Sequence, residues 1–163
     1  MENLWGDINI EKIETPKSIL DQQGDFLTKE TKRKIYGCVS SIEDNKLKIE
    51  YLGYKKQFNF EFNLRSDYLP DYSYKLLSIH HNIEIYPLLI KLPKSIFEEI
   101  ECDIIFKQGC FTGDTYKKNH PDIQIPNDCI VIENVESFKE ILKLIFRSEK
   151  VKNILTSLLS LAG

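Results

Sequence analysis

At 163 residues the chain has the commonest size of one domain and falls short of two ordinary ones, so a single domain over residues 1–163 is expected. Apolar residues at 42% and charged residues at 29% lie near globular averages, which excludes a disordered chain and a membrane protein. Basic and acidic side chains number 22 and 25, a formal charge of -3 without a large field of either sign, so neither nucleic acid nor anionic lipid is an expected partner.

Residues 1–14 carry Trp5 and alternate Ile8 and Ile10 with Asn9 and Glu11, which predicts a short edge strand or an ordered arm pinned by Trp5. No stretch there has the basic, apolar and small-residue order of a signal peptide, and no apolar run reaches the ~18 residues that span a bilayer. A cytoplasmic protein with no membrane partner is therefore expected. Thr15-Pro16 starts a helix, the hydroxyl capping backbone N–H groups and the proline standing where it loses no hydrogen bond. The helix is predicted from Pro16 to about Lys32, with Ile19, Leu20, Phe26 and Leu27 on one face. Gly24 inside it costs about 1 kcal/mol relative to alanine. The run Lys29-Glu30-Thr31-Lys32-Arg33-Lys34 falls at the helix end, where cations favour the dipole, and is read as a solvated face.

The period then drops towards two. Strands are predicted at 34–42 and 46–52, joined through a tight turn at Glu43-Asp44-Asn45. Phe58, Phe60, Phe62 and Leu64 alternate with Asn59, Glu61, Asn63 and Arg65, a strand with one buried and one wet face. Residues 67–71, with Pro70, read as a turn, and a further strand segment runs over 74–90. Pro93 starts a short helix through Ile100, residues 102–106 read as a strand, and 107–128 as a loop of about twenty residues. Cys129-Ile130-Val131-Ile132 is a buried strand. Two amphipathic helices follow, capped by Asn134 and Ser148, with stripes Val135, Phe138, Ile141, Leu142, Ile145 and Val151, Ile154, Leu155, Leu158, Leu161. The expected fold class is α+β: an antiparallel sheet of about five to seven strands, with an N-terminal helix and two C-terminal helices packed on it.

The densest titratable cluster is His80-His81-Asn82-Ile83-Glu84, since imidazoles and a carboxylate suit metal binding or proton transfer. In a continuous strand, period two sends His80, Asn82 and Glu84 to one face and His81 to the other. The histidines then grip no common ion, and His80 meets Glu84 only through a bridging ligand. Alternatively His81-Asn82 is a hairpin tip. His80 and Glu84 stand as catalytic candidates beside a structural reading.

The 107–128 loop carries Cys110, Thr112, Asp114, Tyr116, His120, Asp122 and Asp128, and long loops are often functional. Cys110 and His120 invite a nucleophile and base reading, although no third orienting residue or oxyanion feature accompanies them. Asp114 and Tyr116 are candidate binding residues. Cys38, Cys102, Cys110 and Cys129 lie far apart without a C-x-x-C pair, which argues against a zinc finger or thioredoxin-like motif and for free thiols, three of them on predicted strands. Gly109 and Gly113 lack the lysine and hydroxyl of a phosphate loop, and no cofactor is expected. A nuclease of the restriction-enzyme type needs an aspartate followed by Glu-x-Lys. Pro70-Asp71 and Pro121-Asp122 offer the first part, but neither Glu84-Ile85-Tyr86 nor Glu133-Asn134-Val135 supplies the lysine. No metal ligands are assigned. Tyr36, Tyr51, Tyr54, Tyr68, Tyr72, Tyr74 and Tyr86 lie on or beside predicted strands, where tyrosine is both an ordinary sheet residue and a favoured contact residue. Tyr74 and Tyr86 are the binding candidates among them.

Leu4-Trp5-Gly6-Asp7-Ile8, the Thr15-Pro16 start with Ile19-Leu20 and Gln23, Ile85-Tyr86-Pro87 and the closing helices over 138–159 together resemble an uncharacterised group of small bacterial cytosolic proteins. The resemblance spans nearly the whole chain and implies no activity or site residues. The Ile, Lys, Asn and Tyr bias fits a low-GC bacterial coding sequence. The size, the tyrosine-rich sheet and the lack of a convergent catalytic set lead to a non-enzymatic protein-interaction module: an immunity, inhibitor or accessory protein in a bacterial conflict or mobile-element setting, with another protein as partner. A metal-dependent hydrolase or nuclease, and a small-ligand sensor, are the alternatives.

Overall fold

The computed structural model describes residues 1–11, 13–42, 56–123 and 125–163. The expected strand at 46–52, its turn at Glu43-Asp44-Asn45, and Tyr51 and Tyr54 lie outside the described residues. Helix α1 (Pro16–Glu30) opens on a reciprocal cap: the Ser18 amide donates to the Thr15 hydroxyl at 3.1 Å, and the Thr15 amide to the Ser18 hydroxyl at 2.9 Å. It ends two residues before the expected Lys32, because Lys32 and Arg33 take left-handed torsions that no helix continues.

Strands β1 (Tyr36–Ser41), β2 (Phe58–Ser66), β3 (Leu69–His81), β4 (Leu88–Lys91), β5 (Cys110–Thr112) and β6 (Cys129–Ile132) form an antiparallel sheet in the order β1-β2-β3-β4-β6-β5. Ser66 pairs with Leu69, so the β2–β3 turn is narrower than the expected 67–71, and Pro70 lies inside β3. A register irregularity beside Ser66 accommodates it, since proline has no amide to give a ladder. The expected 74–90 segment is broken: β3 stops at His81, and β4 returns beside Ser78, Ile79 and His80. The chain reverses as in the hairpin alternative, but the tip is not His81-Asn82: His81 stays in β3, paired with Phe58, and residues 82–87 form the connection.

Two further expectations are corrected. Residues 102–106 are not a strand; helix α2 (Lys94–Ile104) runs on through Cys102, because Ile96, Phe97, Ile100 and Ile104 form one buried stripe at helical spacing. The 107–128 segment is not a structureless loop, since it holds β5 and helix α3 (Gly113–Asn119), whose first turn is capped by Thr112 accepting from the Thr115 amide at 3.3 Å. Three strand residues are too few to show a period. Helices α4 (Val135–Phe146) and α5 (Glu149–Leu161) form as expected: Asn134 accepts from the Ser137 amide at 2.8 Å, and Ser148 from the Val151 amide at 3.3 Å. Among the described residues no helix is long and apolar enough to cross a membrane.

The alternation of the strands sorts the core into two. Phe62, Leu77, Ile79, Leu88, Ile90, Ile130 and Ile132 meet α1, α2, α4 and α5 on one face. Leu89, Val131 and Cys129 point to the other, where Tyr116 of α3 and Ile125 cover them. The N-terminal helix and the C-terminal pair therefore share the first face.

Candidate functional site

The N-terminal segment departs furthest from expectation. Residues 1–11, 13 and 14 join no strand, and Trp5, expected to pin them, is 83% exposed. Leu4, Ile8, Ile10 and Ile13 are exposed as well. The local chemistry explains the missing pairing: Asn3 accepts from the Trp5 amide and Asn9 from the Glu11 amide, each at 3.0 Å, and these short Asx bonds occupy amides that a ladder would use. The arm is tethered at its root, where the Glu14 carboxylate meets the Lys139 ammonium at 3.0 Å.

From that tether a groove follows α1 across the helical face. Its first part, a recess of about 520 Å³ between α1 and α4, has Ile19, Leu142 and Phe146 as apolar lining and Lys139, Lys143 and Arg147 along the rim. Four-residue spacing sets Lys139 and Lys143 on α4 and Arg147 at its C-cap in one row, all exposed. Its second part, a cavity of about 190 Å³ between α1 and α5, lies over Phe62, Leu64 and Leu76 of the sheet. Gln23 and Phe146 border both parts. Gly24 sets the position of α1: without a side chain its backbone lies directly against Gly37 of β1. The next turn carries Phe26, expected to share the buried face, yet 58% exposed at the rim of the cavity. On the far side of the cation row, Glu140 takes a 3.1 Å bond from Lys143 and an ion pair with Lys107, and these hold its carboxyl below the usual range.

The histidine cluster is divided. His80 is 4% exposed on the β3 face opposite the four helices. Its Nδ1 lies 2.7 Å from Asn59 Oδ1 and its Nε2 lies 2.8 Å from the Ser78 hydroxyl. Asn59 donates its own Nδ2 to the Lys56 carbonyl, so its Oδ1 can only accept, Nδ1–H donates, and Nε2 accepts from Ser78. Burial, with Lys75, Lys91 and His81 nearby, pushes His80 down to about 4, so the ring is neutral at ordinary pH. His81 turns to the other face and stacks on Phe58 at 5.4 Å. Glu84 leaves the strand altogether and is exposed in the 82–87 connection.

Cys110 and His120 are likewise apart. The thiol points into the helical-face core, donates weakly to the Ser137 carbonyl at 3.7 Å, and is pushed up to about 11 by burial. His120 follows α3 on the opposite face, stacked on Tyr116 at 4.0 Å. Asp114 is exposed in the first turn of α3, whereas Tyr116 is buried beneath it, its phenol raised by burial. Tyr74 is half-buried on β3 and raised by burial. Tyr86 is raised to about 12 by burial and by Glu136 and Glu14, and its enclosed hydroxyl has no hydrogen-bond partner among the described residues. Among the described residues no three His, Cys, Asp or Glu side chains converge as metal ligands. All four cysteines are free of disulfides; Cys102, placed on α2, is exposed.

Sequence reasoning offered an arm but missed the exposure of its apolar side chains, and it missed the groove. The available signal was the sole tryptophan within a carboxylate-rich terminus; Phe26, two turns on from Ile19 and on the same helical stripe, gave none. Compared with family models, curated proteins and solved structures, the chain matches none.

Proposed function

We propose that this chain is a non-enzymatic protein-interaction module, of the inhibitor or accessory kind, that makes contact through its N-terminal arm and the groove along α1. The observation that carries this reading is the exposure of Leu4, Trp5, Ile8, Ile10 and Ile13 on one short segment. Several large apolar side chains exposed on one short segment suit a contact surface, and tryptophan is the residue most enriched where binding energy concentrates. The His80 ring, neutral and engaged at both nitrogens, and the protonated Cys110 thiol are suited to holding the sheet rather than to acid, base or nucleophilic work. The test is affinity retention from the native host with the full chain and with a variant carrying Trp5→Asp and Ile8→Asp. Proteins held by the wild type should be lost from the variant while its thermal melt is unchanged. Equal retention by both, or no retention together with substrate turnover by the purified chain, would refute the reading.

A small-ligand sensor is the second reading, favoured by the apolar cavity of about 190 Å³ between α1 and α5. Small aromatic or aliphatic ligands should then raise the melting temperature of the wild type, and a Leu155→Trp variant that fills the cavity should lose the response.

A further inference from the structure

Resting on the interaction reading, we infer that the partner engaged by the groove is a second copy of this chain, whose acidic, apolar arm lies across α1 and α4. The first ground is charge. Glu2, Asp7, Glu11 and Glu14 against Lys12 give the arm a formal -3, the whole of the chain's -3, so the remaining residues balance to zero. The groove presents the converse in Lys139, Lys143 and Arg147 beside an apolar floor, with Lys139 also meeting its own Glu14 and Lys143 its own Glu140. The same molecule thus carries both halves of a complementary contact, the condition for a two-fold interface in which each copy gives and receives.

The second ground is direction. Thr15 precedes a proline, which confines it to extended torsions, and it stands at φ -94° and ψ 158° with its amide bound to Ser18. From Ile10 to Thr15 the sequence holds no glycine, proline, asparagine or aspartate to reverse the chain. Continued extended through that stretch, the arm would run on past the N-terminus of α1 rather than fold back along it, and its own Glu14 already stands at the near end of the groove. In a second copy no reversal is needed. An extended arm spans about 30 Å from Glu14 to Trp5, against about 17 Å for α1 from Thr15 to Phe26, so Trp5 reaches the α1–α5 cavity.

The third ground is area. An extended arm turns Leu4, Ile8 and Ile10 to one side and Trp5 and Ile13 to the other, so roughly 300 Å² of its apolar surface faces a groove, and two arms with their two grooves remove roughly 1,200 Å² from water, the lower end of a specific interface.

Trp5 is the one tryptophan, so it reports its own burial. Sedimentation of the full chain from low to high micromolar concentration, with fluorescence on the same samples, should show 19.1 kDa passing to twice that mass. Trp5 emission should move to the blue as the dimer forms, and added salt should reverse both changes. Pairing Lys143→Glu with Arg147→Glu, or Asp7→Lys with Glu11→Lys, should weaken self-association at least about tenfold. A mixture of the two variants should associate, because each then offers the other its complement. A monomer at every concentration, a dimer indifferent to both variants, or blue emission from the monomer, which would place the arm on its own groove, each overturns the inference. If the dimer fails while Trp5→Asp with Ile8→Asp still abolishes retention of host proteins, the interaction reading stands and only the second copy falls.

Discussion

Replacing Gly24 by alanine reverses the usual sign of a helix substitution. In an exposed helix the change stabilises by about 1 kcal/mol, because glycine loses more backbone entropy. Here a Cβ at position 24 would lie 3.0 Å from the Gly37 carbonyl carbon and nearer still to its oxygen. Carbon atoms pack at about 3.5–4.0 Å, so α1 would have to lift from β1 by roughly 1 Å. The obstacle is backbone in a paired strand, and Gly37 is itself closed in by Phe62, whose ring would lie 2.6 Å from a Cβ there. Overpacking against atoms that cannot swing away costs about 3 kcal/mol. With the propensity gain subtracted, Gly24→Ala should destabilise by about 2 kcal/mol, a fall of about 4–8 °C in Tm. Urea denaturation beside Asp25→Ala, its exposed helical neighbour, separates packing from propensity, since that control should gain a few tenths of a kcal/mol. A Gly24→Ala protein as stable as the wild type would refute the close approach and with it the position of the groove wall.

Three further outcomes follow from the described geometry. His80 is held near 4 in the folded chain against 6.5 when unfolded, so the unfolded chain binds the extra proton first and stability falls as pH drops from about 6.5 to 4. The loss is about 3 kcal/mol by the low end of that window, and a His80→Gln variant should show a flatter pH dependence in denaturant melts. A thiol reagent under native conditions should modify Cys102 first, and should reach Cys110 and Cys129 only at the rate of unfolding; fast modification of Cys110 would contradict its burial. Ser148→Ala removes the cap of α5 and should lower stability by about 1 kcal/mol, whereas Ser160→Ala, at an exposed position in the last turns, should be near neutral by the same denaturation assay.

Elements whose signals are local are legible in the amino-acid order. Thr15, Asn134 and Ser148 mark helix starts because a capping bond closes within three residues, and the closing stripes and the Phe58–Leu64 alternation show their period within one element. Even so, Asn59 and Asn63, expected on a wet face, are buried, and Phe58 and Leu161, expected on buried ones, are exposed. The α+β class follows from these alone. Residues 102–106 and 107–128 fold otherwise than their pattern predicts because a helix end and a three-residue strand are stabilised by what they touch. The candidate site was legible only in its ingredients. Tertiary structure decided that Cys110 and His120 lie on opposite faces of the sheet, that both nitrogens of His80 are engaged, and that Phe26 and Trp5 stay outside the core. The separation of Cys110 from His120, the Asn59 side of His80 and the exposure of Phe26 come from strand order, register and the fit of α1 on β1 through Gly24 and Gly37, contacts between residues distant in the chain for which local propensity carries no information.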